Sequence, residues 1–275
     1  MRILKNKTAL LGGVLVVLAV VGAAAAPLLI GTGNRSVDQS QFALEQRLEG
    51  PQPGHPFGLD EDGRDLLTQV VYGARVSLAV SLSSVFFSAG IGILLGLAAG
   101  WFGGRCDQAF IFLTDIVMAF PSILLIIALA AFQREGGIVS LVLILSVVGW
   151  VSYARIVRGQ VLSLKERGFV LAAVGSGASL PRIWVRHLLP NLFAPLVVNA
   201  TFGMAGIIIA ESTLSFLGLG LPPNVPSWGR LLDQGVQYLL IAPHLSIFPG
   251  IGIASLVLGF NLLGDGLRDA LDVKA

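Results

Sequence analysis

What most constrains this chain is a set of apolar runs at 9–30, 77–99, 109–132, 138–157, 192–216 and 244–263. A hydrocarbon core of about 30 Å needs roughly 20 apolar residues at about 1.5 Å of rise each, and each run has that length. Backbone polar groups in lipid must be satisfied within the segment, so the runs read as helices. Composition agrees: 55% of residues are hydrophobic and 12% charged, where a soluble domain carries about 25% charged. A net charge of +2, spread thinly, cannot form the basic stripe that nucleic acid requires. Cys106 is the only cysteine, so neither an intrachain disulfide nor a thiolate metal cluster is available.

Arg2, Lys5 and Lys7 precede the first run, which passes the small residues Ala23 to Ala26 as a secretory signal would. Because the run continues beyond Pro27 to Ile30, an uncleaved anchor is the better reading. Positive side chains stay on the cytoplasmic side. With the N-terminus inside, that side carries Arg2, Lys5, Lys7, Arg105, Arg155, Arg158, Lys165, Arg167, Arg182, Arg186, Arg268 and Lys274. The other side carries Arg35, Arg47, Arg64, Arg75, Arg134 and Arg230, so both termini are expected inside. The chain then divides into a cytoplasmic N-terminus with the first span (1–30), an external segment (31–76) and a core of five spans (77–275) with a cytoplasmic loop at 158–191. The external segment contains Asp38, Glu45, Glu49, Asp60, Glu61, Asp62 and Asp65. It ends with Leu66, Leu67, Val70, Val71 and Ala74 at helical spacing, read as an interfacial helix leading into the second span; a solvated loop is the alternative.

Glycine makes up 34 of 275 residues, against a usual share of about 7%. Gly92, Gly96 and Gly100 recur every four residues and admit a close helix neighbour, either within the chain or in a second subunit. Asp115 and Glu211 fall within spans, where an ionised group must face protein or water. They read either as part of a translocation path or gate or as interhelical hydrogen-bonding groups. Pro121 should kink the third span.

The chain lacks an energy-coupling site of its own. None of Lys5, Lys7, Lys165 and Lys274 follows glycine, so no phosphate-binding loop exists, and ATP would have to bind another chain. His55, His187 and His244 are scattered outside any H-E-x-x-H arrangement and offer no metal site. Ser176, between Gly175 and Gly177, has Val174 where a Gly-x-Ser-Gly motif needs glycine, and Asp265, after Gly264, has Leu262 at the first position of a Gly-x-Gly-Asp motif. The loop KERGFVLAAVGSGASLPRIWVRHLLPN, residues 165–191, is more informative. Ala172 and Ala173 suit a helix, Gly175 and Gly177 a turn, Pro181 the start of a second short helix, and Pro190 the next span. With Arg182 and Arg186 this is either a compact knob for a partner to grip or a plain connector that keeps positive charge inside.

The spacing Ala172-Ala173, Gly177, Leu189-Pro190 resembles the EAA motif of ABC importer permeases, although Leu171 replaces its glutamate and His187 a common isoleucine. Val174 and Gly175 stand where arginine and alanine are expected. Arg186-His187-Leu188-Leu189-Pro190-Asn191 is similar to the C-type permease of dipeptide, oligopeptide and nickel importers. HPFGLDEDGRDLL at 55–67, DIVMAFP at 115–121, ESTLSFLGLG at 211–220 and PSWG at 226–229 resemble the same branch in the same order.

The resemblance implies an all-α integral membrane protein with six transmembrane helices, the type I ABC importer permease fold, and a cytoplasmic coupling-helix loop. It implies a prokaryotic inner (plasma) membrane location and no cofactor on this chain, with ATP and magnesium on partner subunits. The partners would be a second homologous permease, two ATP-binding subunits or domains, an external substrate-binding protein and membrane lipid. Ala172, Ala173, Gly177, Arg182, His187 and Pro190 would form the ATPase-coupling surface, with Asp115, Pro121 and Glu211 on the path or gate. The alternatives are a lone secondary carrier or channel using Asp115 and Glu211, or an intramembrane hydrolase using Ser176 or Asp265.

Overall fold

The computed structural model of the chain describes residues 6–29, 46–133, 136–222 and 224–271. Arg2, Lys5, Ile30, Arg35, Asp38, Glu45, Arg134 and Lys274, which entered the sequence reading, lie outside them. Four single helices are long and apolar enough to cross a bilayer: α1 (Lys7–Leu29), α2 (Leu66–Phe102), α5 (Ile138–Leu164) and α10 (His244–Leu271). A fifth crossing is a continuous rod over Leu180–Phe216. It comprises α7 (Leu180–Ile183), a π-helical turn (Trp184–Leu188) and α8 (Leu189–Phe216). A broken pair, α3 (Gly104–Met118) and α4 (Ser122–Ala131), bent by 80°, makes a sixth when counted as one span. Two short helices, α6 (Gly168–Gly175) and α9 (Trp228–Val236), lie between crossings.

Three expectations change, each for a physical reason. The expected interfacial stretch is the start of α2, whose 37 residues span about 55 Å at roughly 1.5 Å each. Its apolar face meets protein instead of lipid: Leu66, Val70 and Ala74 are buried in one cluster with Trp228, Leu231 and Leu245. The expected loop at 158–191 is shorter, because α5 continues through Leu164 and the next rod begins at Leu180. The second short helix and the next span join into one rod. Pro190 is the second residue of α8, as expected of a helix start. Its missing N–H and its ring would break an α-helical ladder running in from α7, and the π turn just before it, closed by Leu189 N–H donating to Trp184 O, carries the chain across. Asn191 Nδ2 donates to the His187 carbonyl at 2.7 Å.

At Pro121 the kink is a full interruption. The α3 ladder ends with Ala119 N–H on Asp115 O, Pro121 is extended (φ −56°, ψ 123°), and α4 restarts with Leu125 N–H on Pro121 O.

The glycine stripe settles as packing within the chain. A Cβ on Gly92 would fall 2.6 Å from Tyr153 Cβ, and one on Gly96 2.5 Å from the Ala154 carbonyl. Gly100 meets Val161 in the same way, so α2 lies backbone to backbone on α5. At the other flank α1 runs antiparallel to α10, with Gly12 against the Gly259 carbonyl and Gly266 against Ala9. The described ends of both helices therefore sit at the end of the bundle that bears α6.

The opposite end is closed by a cap, residues 46–65. Phe57 stacks on Phe248 with ring centroids 3.9 Å apart. The His244 ring lies 3.3 Å from the Leu59 carbonyl. Asp65 caps α2 through Thr68 N–H at 2.8 Å and also holds the His55 ring at 3.0 Å. Asp60, 6% exposed, accepts from the Asp62 and Arg64 N–H groups and the Gln69 side-chain amide. Burial nevertheless pushes its carboxyl above the ordinary aspartate range.

Candidate functional site

One flank of the bundle is open. A cavity of about 580 Å³ lies between α2, α4, α5 and α8, with Ser88, Ile126, Tyr153, Gly203 and Thr213 on its walls. A second, of about 500 Å³, shares Ser122, Val148 and Ser152 with it and extends to Met118 and Arg155. A third, of about 450 Å³, shares Asn199 and Phe202 with the first and runs to Gln160 and Arg268 near the α6 end. Together they form one groove. At its waist the Ser152 hydroxyl donates to Asn199 Oδ1 at 3.1 Å, joining α5 to α8. Phe120 on the groove wall is 57% exposed, and Phe132 at the end of α4 is 88% exposed, apolar surface that one chain alone leaves uncovered.

The two intramembrane carboxylates have opposite settings. Glu211 is 0% exposed. Ser77 Oγ donates to its Oε2 at 2.8 Å, and Ser215 Oγ to its Oε1 at 2.9 Å. It ties α2 to α8 below the α9 junction and lines none of the three cavities. Neighbouring glycines permit the close fit: Gly229 has no room for a Cβ against the Ser212 backbone. Trp228 Nε1 donates to the Val70 carbonyl at 2.8 Å, locking α9 to α2. Asp115, by contrast, is exposed on α3, ahead of the break at Pro121.

The α6 end carries the expected knob. Helix α6 closes with Gly177 N–H on Val174 O and Ala178 N–H on Ala173 O, the paired bonds of a Schellman turn. That turn needs a left-handed residue, and Gly177 supplies it at φ +75°. Val170, at 0% exposure, anchors α6 in a cluster with Leu97, Val161, Ile183 and Leu192. The Phe169 and His187 rings approach to 6.4 Å. The outer face is apolar and bare: Leu171 is 57% exposed and Val174 47%, with Ala172 and Gly177 exposed beside them.

Ala172, Ala173 and Gly177 thus gather on this knob, while Arg182, His187 and Pro190 lie along the rod that leaves it, His187 touching the knob through Phe169. Pro121 sits by the groove and Glu211 in the closed junction. Ser176 spends its hydroxyl on the Ala172 carbonyl at 2.8 Å, and Asp265 lies on α10.

The groove itself was not found from the sequence, although Ser152 and Arg155 stand three apart and share a helical face. A pair of charges between helices also escaped. Arg158 holds Asp107 through two bonds, one of 2.7 Å from Nη2, fastening the first turn of α3 to α5. Lys165 Nζ reaches the Gly100 carbonyl at 3.3 Å, so the base of the knob also touches α2.

Comparisons with known proteins agree with this anatomy. Residues 92–275 match the family described as binding-protein-dependent transport system inner membrane component. The chain is 40% identical over 270 residues to the dipeptide transport system permease protein DppC of Alkalihalophilus pseudofirmus, covering 98% of this chain and 87% of that protein. It is 35% identical over 274 residues to the oligopeptide transport system permease protein OppC of Bacillus subtilis, covering 100% and 88%. It is 40% identical over 236 residues to the glutathione transport system permease protein GsiD of Pectobacterium atrosepticum, covering 86% and 78%. The backbone is similar to a chain of the MetNI methionine ABC transporter in inward facing conformations. That likeness has a TM-score of 0.58 at 23% identity and covers 74% of this chain and 96% of that one. It shows the fold: all-helical, of the type I ABC permease kind. With a family match over residues 92–275 and relatives alike along nearly its whole length, the chain belongs to the binding-protein-dependent transport system inner membrane components.

Proposed function

We propose that this chain is one of two permease subunits of an ATP-driven importer of short peptides, the groove forming its half of the path. The observation that carries the reading is likeness to dipeptide and oligopeptide permeases over 98% and 100% of the chain. The open groove and the bare knob at opposite parts of one flank support it. A second, homologous permease covers the groove flank. Two ATP-binding subunits grip α6 through Leu171, Ala172, Ala173, Val174 and Gly177, with Arg182, His187 and Pro190 carrying the push into the rod. ATP and magnesium are held by those subunits. A substrate-binding protein docks on the cap, and the α6 end and both termini face the cytoplasm of a prokaryote.

The mechanism follows from the connections. Closure of the ATPases moves α6; Val170 and the Phe169–His187 contact pass that motion to the rod and to α5. The Lys165 contact with Gly100 and the Arg158–Asp107 pair pass it to α2 and α3. Two global states with different ligand preferences suffice for alternating access.

The test is purification of the tagged chain in mild detergent, identification of what accompanies it, and reconstitution in proteoliposomes. A second permease and ATP-binding subunits should co-purify, and peptide uptake should require internal ATP. A chain that purifies alone and transports on an ion gradient would replace this reading with that of a secondary carrier.

A further inference from the structure

The three cavities of the groove are lined by two cations, Arg155 and Arg268, and by no carboxylate. Arg155 lies nine residues before the end of α5, about 13 Å inside the helix end at roughly 1.5 Å per residue. Its Nη1 donates to Met118 Sδ at 2.7 Å. A thioether is a weak acceptor without charge, and no carboxylate among the described residues lies within ion-pair distance of Arg155. Arg158, one turn further on, has Asp107. Arg155 is exposed on the groove flank, and the cavity of about 500 Å³ beside it has room for a counter-charge.

Polar groups also line the way between the cavities. Ser152, exposed on α5, belongs to both the middle cavity and the one beside Arg155, and its bond to Asn199 spans the waist. The hydroxyl oxygens of Ser88 and Tyr153 are inaccessible and lie against Gly149 and Gly203, so they belong to the wall and not to the open space.

We infer that the groove contains a carboxylate subsite, in which Arg155 takes the C-terminal carboxylate of the passing peptide and Ser152 and Asn199 take its main-chain amides. The inference rests on the permease reading and adds a ligand chemistry to it. Guanidinium and carboxylate pair through two parallel bonds, which a C-terminal amide cannot reproduce.

The test uses the assembled transporter in nanodiscs without its binding protein, with trialanine and trialanine amide as ligands and saturation-transfer NMR as the readout. The wild-type complex should bind the acid about tenfold more tightly than the amide, as expected for loss of one charge-assisted pair. Arg155→Gln should bring the two together by weakening the acid, and Arg155→Lys should restore part of the difference. Equal binding of acid and amide by the wild type, which needs no variant, overturns the site. So does an unchanged preference in Arg155→Gln, or loss of the second permease from that variant, which would make Arg155 an interface residue. ATP-driven uptake in proteoliposomes is scored separately: its absence overturns the permease reading, while normal uptake without an acid preference overturns the subsite alone.

Discussion

The junction around Glu211 and the groove around Arg155 are both polar regions inside a membrane bundle, and they are finished to different degrees. At the junction, Ser77 and Ser215 donate to Glu211, Trp228 donates to Val70, and Gly229 lies against the Ser212 backbone. In the groove, Arg155 has only a thioether among the described residues, Ser152 is exposed, and Phe120 is 57% exposed. A polar group held on all sides fixes a fold; one left open is reserved for something that arrives later. On the proposed function, the cap end is the closed side and the groove flank and α6 knob are the sides that meet partners and solute.

The largest expected effect tests the closed side. Trp228→Ala removes a 3%-exposed indole and its bond to Val70, and should cost about 3–5 kcal/mol. Thermal unfolding in detergent should show a large drop for this variant. Phe120→Ala on the groove wall should stay within about 0.5 kcal/mol of wild type. Equal losses at the two positions would erase the distinction between the regions.

Glu211→Ala comes next. It leaves the Ser77 and Ser215 hydroxyls unpaired in a closed space, at about 1–3 kcal/mol. Glu211→Gln, which keeps an acceptor, should recover part of that, and ATP-driven uptake by the Gln variant should survive. Uptake abolished in a well-folded Glu211→Gln complex would move this residue from the frame to the path.

Gly177→Val forces a β-branched residue into φ +75°, at about 1–2 kcal/mol, in a turn that meets no neighbour within 4 Å of the added carbon. The folding cost is modest and the functional cost should be large, because the Schellman turn sets where Ala172 and Ala173 point. ATP hydrolysis by the complex should continue while peptide uptake falls. Normal uptake would remove Gly177 from the coupling surface.

What the sequence could reveal follows the same division. Runs of apolar residues identify spans because lipid imposes a length, and they do so even at 109–132, where Pro121 marks the break but not its 80° angle. The glycine stripe signalled a close approach without naming the partner, since α5 offers its backbone only once the helices are folded. The extension of α2 to Leu66 was hidden because its outer turns are covered by Trp228 and Leu231, some 160 residues away in the chain. Arg155 was read as positive charge held inside, a rule that counts lysines and arginines without asking which face they take. Only the packed bundle turns that face toward a cavity.

The smallest effect concerns the cap, where Asp60 shows that a closed region can still carry a tension. Three donors favour its ionised form, and burial favours the neutral one. Burial prevails, so the folded carboxyl titrates above the ordinary value of 3.8. A raised folded-state pKa means that Asp60 contributes stability fully below about 3.8, and that this contribution is lost as pH rises through the raised value. The contribution of Asp60, taken as the difference between wild type and Asp60→Asn in thermal unfolding across pH, should therefore grow on acidification from neutral. Subtracting the variant cancels the other carboxylates, which titrate in both proteins. A difference that shrinks on acidification would mean that the Asp62 and Arg64 N–H groups and the Gln69 amide outweigh desolvation, making the cap as fully satisfied as the Glu211 junction.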